Sequence, residues 1–179
     1  MTSEMQSPPV HRRQVRFAAL AALILFALML PLNIALESAH APRGIISLEM
    51  AGSPERIQMI LTEWNSEGLA MARWLLALDF LFIPCYVVLL VNLARYCGRD
   101  RPGTREQQAI KLATLLFVVA GSADLIENAG LLVALNQPQE GLWSALAAAL
   151  ALLKFSGVVI GLGLLIVIRA SRPRHPLHR

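Results

Sequence analysis

Six polar residues stand inside stretches that are otherwise almost wholly apolar: Asp79 and Tyr86 in one, Asp124, Glu127 and Asn128 in a second, Lys154 in a third. An ionisable side chain within a membrane span costs several kcal/mol unless it is paired or wetted, so such residues mark candidate sites. Asp124, Glu127 and Asn128 fall at i, i+3 and i+4, which puts all three on one stripe of a helix, continued by Ala120 and Gly121. Lys154 shares a face with Ala147, Ala151, Gly157 and Gly161, the last two in GxxxG spacing. Small residues let helices approach closely, so both polar faces should point into a bundle.

Three acids set against one lysine leave an imbalance. Carboxylates brought together in low dielectric cannot all stay ionised cheaply, so one should hold a proton or bind a cation. A protonated acid beside an ionised one is also the minimum equipment for general acid/base catalysis. The bland alternative is that the same groups tie helices together structurally.

The elements that must position these residues follow from composition. With 56% hydrophobic and 16% charged residues among 179, and a mean hydropathy of +0.56, the chain is too apolar for a soluble domain of its size. Four apolar stretches, residues 17–36, 73–96, 110–135 and 142–168, each reach the roughly 20 residues that a helix needs to cross a bilayer. The expected fold class is an all-α membrane protein, a four-transmembrane-helix bundle with a short amphipathic helix in the outer loop (37–72) between the first and second spans.

Positive charge sets the expected orientation. Arg12, Arg13 and Arg16 lie in an N-terminal arm (1–16), Arg95, Arg99, Arg101, Arg105 and Lys111 between the second and third spans, and Arg169, Arg172, Arg174 and Arg179 in a tail (169–179). Short basic segments stay cytoplasmic, which puts both termini inside and the Glu-rich 37–72 connection outside. The pI near 9.7 is then a topology signal with some attraction to anionic lipid, and nucleic acid is not an expected partner. Trp64, Trp74 and Trp143 map to the outer boundary and Tyr96 to the inner one. The basic flank, apolar run and Ala39-His40-Ala41 resemble a signal peptide with a cleavage site, but a run of about 20 residues exceeds the 7–15 of such a segment.

Measured from the outer boundary at ~1.5 Å per residue, Asp79 lies roughly 10 Å deep, Glu127 and Asn128 roughly 10–12 Å, Asp124 roughly 16 Å and Lys154 roughly 18 Å. Depth therefore pairs Asp124 with Lys154 and leaves Asp79 near Glu127 and Asn128. Thr104 with Gln107 reads as a capping box after the breaker Arg101-Pro102-Gly103, and Gln137-Pro138-Gln139 as a tight turn between antiparallel helices. In the outer connection Ser53 is placed to cap a helix with Pro54 at its first position. Its apolar face, Ile57, Ile60, Leu61 and Trp64, suits either a helix flat on the membrane or a lid packed over the bundle mouth. Pro84 within the second span predicts a kink with the Phe80 carbonyl released.

The runs Asp79-Phe80-Leu81-Phe82-Ile83-Pro84-Cys85-Tyr86 and Asp124-Leu125-Ile126-Glu127-Asn128 carry a resemblance. With its D-x-x-F-x-P-x-Y and D-x-x-E-N motifs the chain resembles a family of uncharacterised bacterial four-helix integral membrane proteins. That resemblance implies a bacterial inner-membrane location and one site containing Asp79, Tyr86, Asp124, Glu127 and Asn128. Lys154 is not part of the pattern, and its place in the site rests on depth and charge.

All four histidines, His11, His40, His175 and His178, lie outside the spans, so paired axial ligands for a membrane haem are missing. Cys85 and Cys97 form neither a CxxC nor a plausible disulfide, and no Walker or dinucleotide motif occurs. No cofactor or metal is expected. Three functions fit the pattern: a site that binds or processes a lipid headgroup or small amphiphile from the outer leaflet, with membrane lipid as partner; a proton- or cation-coupled permease working as a homo-oligomer; and an accessory subunit of a membrane complex with a structural polar core. The first is favoured because the inner half offers little polarity besides Asn92 and Ser156.

Overall fold

The computed structural model describes residues 12–171. Residues 1–11 of the basic arm, with His11, and the tail residues Arg172, Arg174, His175, His178 and Arg179 lie outside the described residues. Five helices make up the fold: α1 (Arg12–Ala35), α2 (Ile45–Glu49), α3 (Pro54–Gly98), α4 (Thr104–Asn136) and α5 (Gly141–Ala170), with no strand among the described residues. α1, α3, α4 and α5 are long and apolar enough to cross a membrane, which makes this an all-α, multi-pass membrane protein.

Small residues decide how the helices meet. A Cβ added to Gly157 would lie 3.2 Å from the Leu116 carbonyl oxygen, and one added to Gly161 would run into the Phe117 ring. α5 therefore docks on α4 through the GxxxG face expected from sequence. Gly121 admits the Val87 side chain in the same way, seating α3 on α4. α1 packs extensively only on α3, and α3 touches α5 only lightly. The spanning helices thus form an arc in the order α1, α3, α4, α5, open between its two ends.

One end of the bundle carries the α1–α2–α3 connection and the turn from α4 to α5; the other carries Arg95, Arg99, Arg101, Arg105, Lys111 and Arg169. Near the basic end Ala94, Cys97, Ile110, Ala113, Phe117, Leu165 and Ile168 form a buried apolar core. At the connected end Ile57, Ile60 and Trp64 are buried in one cluster with Leu131, Leu135 and Ala147, so the first turns of α3 form a lid over the bundle. Trp64 is 4% exposed and donates its indole N–H to the Leu36 carbonyl at 2.8 Å, so it is a core residue and not part of a boundary belt.

The amphipathic segment stands as expected as a helix of its own, begun at Pro54 with Ser53 accepting from Arg56 N–H. It meets the second span at Asn65, whose backbone is not helical (φ 50°, ψ −165°), so α3 is two helices joined across a kink. Asn65 Oδ1 accepts from the N–H groups of Glu67 and Gly68, restarting the helix like an N-cap. The backbone stays helical through Pro84, which lies inside the second of these helices. One local expectation is corrected: Gly103 and not Thr104 precedes α4, without a side-chain cap. Gln107 Nε2 instead donates to the carbonyls of Gly98 (3.2 Å) and Arg101 (2.7 Å), tying down the end of α3. Arg101 is itself buried and donates to the carbonyls of Arg169 and Ser171, satisfying the C-terminus of α5.

The connection between α1 and α3 folds inward. Glu63 of α3 accepts from Ser38 Oγ (2.5 Å) and the His40 N–H (2.9 Å) and pairs with His40 Nδ1 (2.7 Å). These contacts, the Ser38 hydroxyl foremost, lower the Glu63 carboxyl from 4.5 to about 2. Asn33 at the end of α1 accepts from the first amide of α2, Ile45 N–H, at 2.9 Å and donates to the Arg43 carbonyl. Gly44, at φ +57°, makes the turn, and a Cβ there would lie 2.5 Å from Asn33 oxygens. Gly44 and, after α2, Gly52 (φ +70°) bracket the five residues of α2 and deliver Glu49 into the bundle.

Candidate functional site

Lys154 of α5 is the centre of the site. Its Nζ donates to Asp124 Oδ1 at 2.8 Å and to Glu127 Oε1 at 3.0 Å, both on α4. Glu49 Oε2, from α2, lies 3.1 Å away on the third side, close enough for an ion pair but not aligned as a hydrogen bond. Lys154, Glu49, Asp124, Glu127 and Asn128 are all buried, the last two completely. The lysine also stands 5.0 Å from the Phe155 ring centroid, a cation–π distance.

α3 supplies the other half. Tyr86 donates its hydroxyl to Asp124 Oδ2 at 2.8 Å, so both oxygens of Asp124 are occupied. Asn128 donates to Asp79 Oδ2 at 2.7 Å. All six residues singled out from sequence therefore converge, and the depth-matched pair Asp124–Lys154 is present. The placement of Glu127 beside Asp79 is corrected: one helical turn of α4 aims Glu127 at Lys154, and only Asn128 reaches Asp79.

Sequence reasoning leaves Glu49 among the charges of the outer connection. A signal for it exists in Gly44-Ile45-Ile46-Ser47-Leu48-Glu49-Met50-Ala51-Gly52: an apolar run between two glycines, too short to cross a bilayer, is how a chain dips in and returns. Sequence reasoning misses Asn33 as well, and it holds that dip in place.

Beside the cluster lies a cavity of about 680 Å³ in the gap between α1 and α5. Phe26, Met29 and Leu30 line it from α1, and Phe155, Val158 and Val159 from α5. Ile45 and Ile46 line it from α2, while α3 contributes Leu75, Phe82, Leu89 and Leu90. Its polar lining is Asn33, Glu49, Asp79, Tyr86, Asp124 and Lys154, so a few polar atoms reach the wall of an otherwise apolar chamber. The volume falls within the ~300–1,000 Å³ of small-molecule pockets.

The arrangement offers one fixed positive charge, several carboxylate oxygens and a phenol, but no serine or cysteine nucleophile among them. Its chemistry is that of binding, orientation and proton exchange at carboxylates. A scan against protein-family models, a search of curated proteins and a search of solved structures each found no match to this chain.

Proposed function

We propose that this protein binds an amphiphile within the membrane, holding its polar head against the Lys154 cluster and its apolar tail between α1 and α5. The carrying observation is the shape and chemistry of the cavity: apolar walls from α1, α2, α3 and α5, polar groups from these four and from α4, and an opening where the arc of spanning helices fails to close. A ligand from bulk water would not need a lateral opening, and an amphiphile already dissolved in the bilayer does. The apolar core around Phe117 and Leu165 fills the bundle between the site and the basic end. That filling favours lateral entry over a through-path for a proton- or cation-coupled permease.

In the orientation read from the basic residues, the site faces the outer leaflet of a bacterial inner membrane, and lipid is the natural partner. The test is native mass spectrometry of the purified protein, with Met29→Trp and Val158→Trp filling the cavity from opposite walls. The expected result is one retained amphiphile per wild-type chain, lost in both variants at unchanged helicity. Absence from wild type, or retention by the filled variants, overturns the reading.

A further inference from the structure

The cluster has more acceptors than donors, and the deficit can be counted atom by atom. Lys154 donates N–H bonds to Asp124 and Glu127, and its Nζ lies 3.1 Å from Glu49 Oε2 without the alignment of a hydrogen bond. The Tyr86 hydroxyl is given to Asp124 and the Asn128 amide to Asp79. Against these, Glu49 Oε2, Glu127 Oε2 and Asn128 Oδ1 are buried with no hydrogen-bond partner, and of these three residues Glu49 lines the cavity. Asp79 Oδ1 makes no hydrogen bond either, and Asp79 is the cavity-lining acid that Lys154 does not contact.

The formal charges point the same way, with four carboxylates (Glu49, Asp79, Asp124, Glu127) gathered around one ammonium. Buried unpaired acceptors and uncompensated negative charge are both costly in a medium of low dielectric. An anionic head, such as a phosphate or carboxylate, would add acceptors and charge of the wrong sign. A neutral hydroxyl would bring one donor and leave the charge. A protonated amine brings up to three donors and the missing positive charge together.

We infer that the head of the bound amphiphile is a protonated amine, received by Asp79 at the wall of the cavity. The inference rests on the amphiphile reading above and adds the class of head. Asp79→Asn still accepts the Asn128 hydrogen bond, and it removes the charge that selects the amine.

The experiment compares hexadecylamine, hexadecanol, hexadecanoate and butylamine, added below their micellar limits to protein in dodecylmaltoside, with affinity read from thermal stabilisation. Wild type is expected to bind hexadecylamine at least ten-fold more tightly than hexadecanol, and hexadecanoate and butylamine not measurably. Asp79→Asn should bring hexadecylamine down to the affinity of hexadecanol, and Val158→Trp should abolish binding of both. Equal affinity for amine and alcohol in wild type, preference for hexadecanoate, or an amine preference that survives Asp79→Asn overturns the assignment while leaving the cavity reading intact. Failure of every long-chain probe to bind, or binding that survives Val158→Trp, overturns the cavity reading and the assignment with it. Butylamine binding as tightly as hexadecylamine, with the same dependence on Asp79, retains the amine and overturns the need for a tail.

Discussion

Replacing Lys154 by methionine keeps a long apolar stem and removes the one positive charge of the cluster. Three carboxylate oxygens, at 2.8, 3.0 and 3.1 Å from Nζ, then lose their counter-charge at once. Breaking a buried ion pair by deleting one partner costs ~3–5 kcal/mol, and three stranded acids place this variant at the upper end, ~5 kcal/mol. Against a whole-domain stability of ~5–15 kcal/mol, that loss is readily measured. Adding Asp124→Asn should restore less than half of it, because Glu49 and Glu127 remain stranded. Adding Glu127→Gln as well should restore most of the loss. Unfolding by sodium dodecyl sulfate titration in dodecylmaltoside, followed by circular dichroism, gives each value. A loss below ~1 kcal/mol for Lys154→Met, or strictly additive effects in the series, would refute the three-way pairing.

Gly44→Ala should destabilise by ~1–3 kcal/mol, since it combines left-handed backbone strain with a Cβ driven onto Asn33, whereas Gly52→Ala meets nothing closer than 3.8 Å and should cost only the strain. Equal losses at the two glycines in the same unfolding assay would contradict the close packing at Gly44. Because the Glu63 carboxyl lies lower folded (about 2) than unfolded, its clasp on Ser38 and His40 contributes above about pH 4.5 and is lost as pH falls towards 2. Protection factors at residues 38–41, taken against the intrinsic exchange rate at each pH, should fall over that window, and Glu63→Gln should show low protection at every pH. Compartment-reporting fusions should place Gly98 and both termini inside and Gly52 outside; an external C-terminus would reverse the orientation.

The spans were legible because a bilayer-length apolar run has no other stable use, and the inward faces because Gly157, Gly161 and Gly121 announce where backbones must touch. Convergence of Asp79, Asp124, Asn128 and Lys154 followed from depth along straight helices. Glu49 was not legible in the same way, since a five-residue helix has no period and its acid reads as one more loop charge. The amphipathic helix of the outer connection was legible from Ser53, Pro54 and its apolar face, whereas Asn65, which joins it to the second span by adopting positive φ and capping the next helical turn, stood in no pattern of its own. The Thr104–Gln107 spacing matched a capping box, yet two carbonyls at the nearby end of α3 competed for the Gln107 amide and won.

The distribution of charge over the chain has a consequence for how the protein is made. Asp124, Glu127 and Lys154 all belong to the hairpin of α4 and α5, so that hairpin enters lipid carrying its own counter-charge, with a formal balance of two acids less one lysine, or −1. Glu49 sits in a segment synthesised before the lysine, yet it has nothing to pair with until α5 arrives. The ion pair between Glu49 and Lys154 therefore closes only after α5 is in place. A nascent chain stalled before that step would present a soft, acidic connector to surface proteases, and Lys154 would be the residue whose delivery seals it.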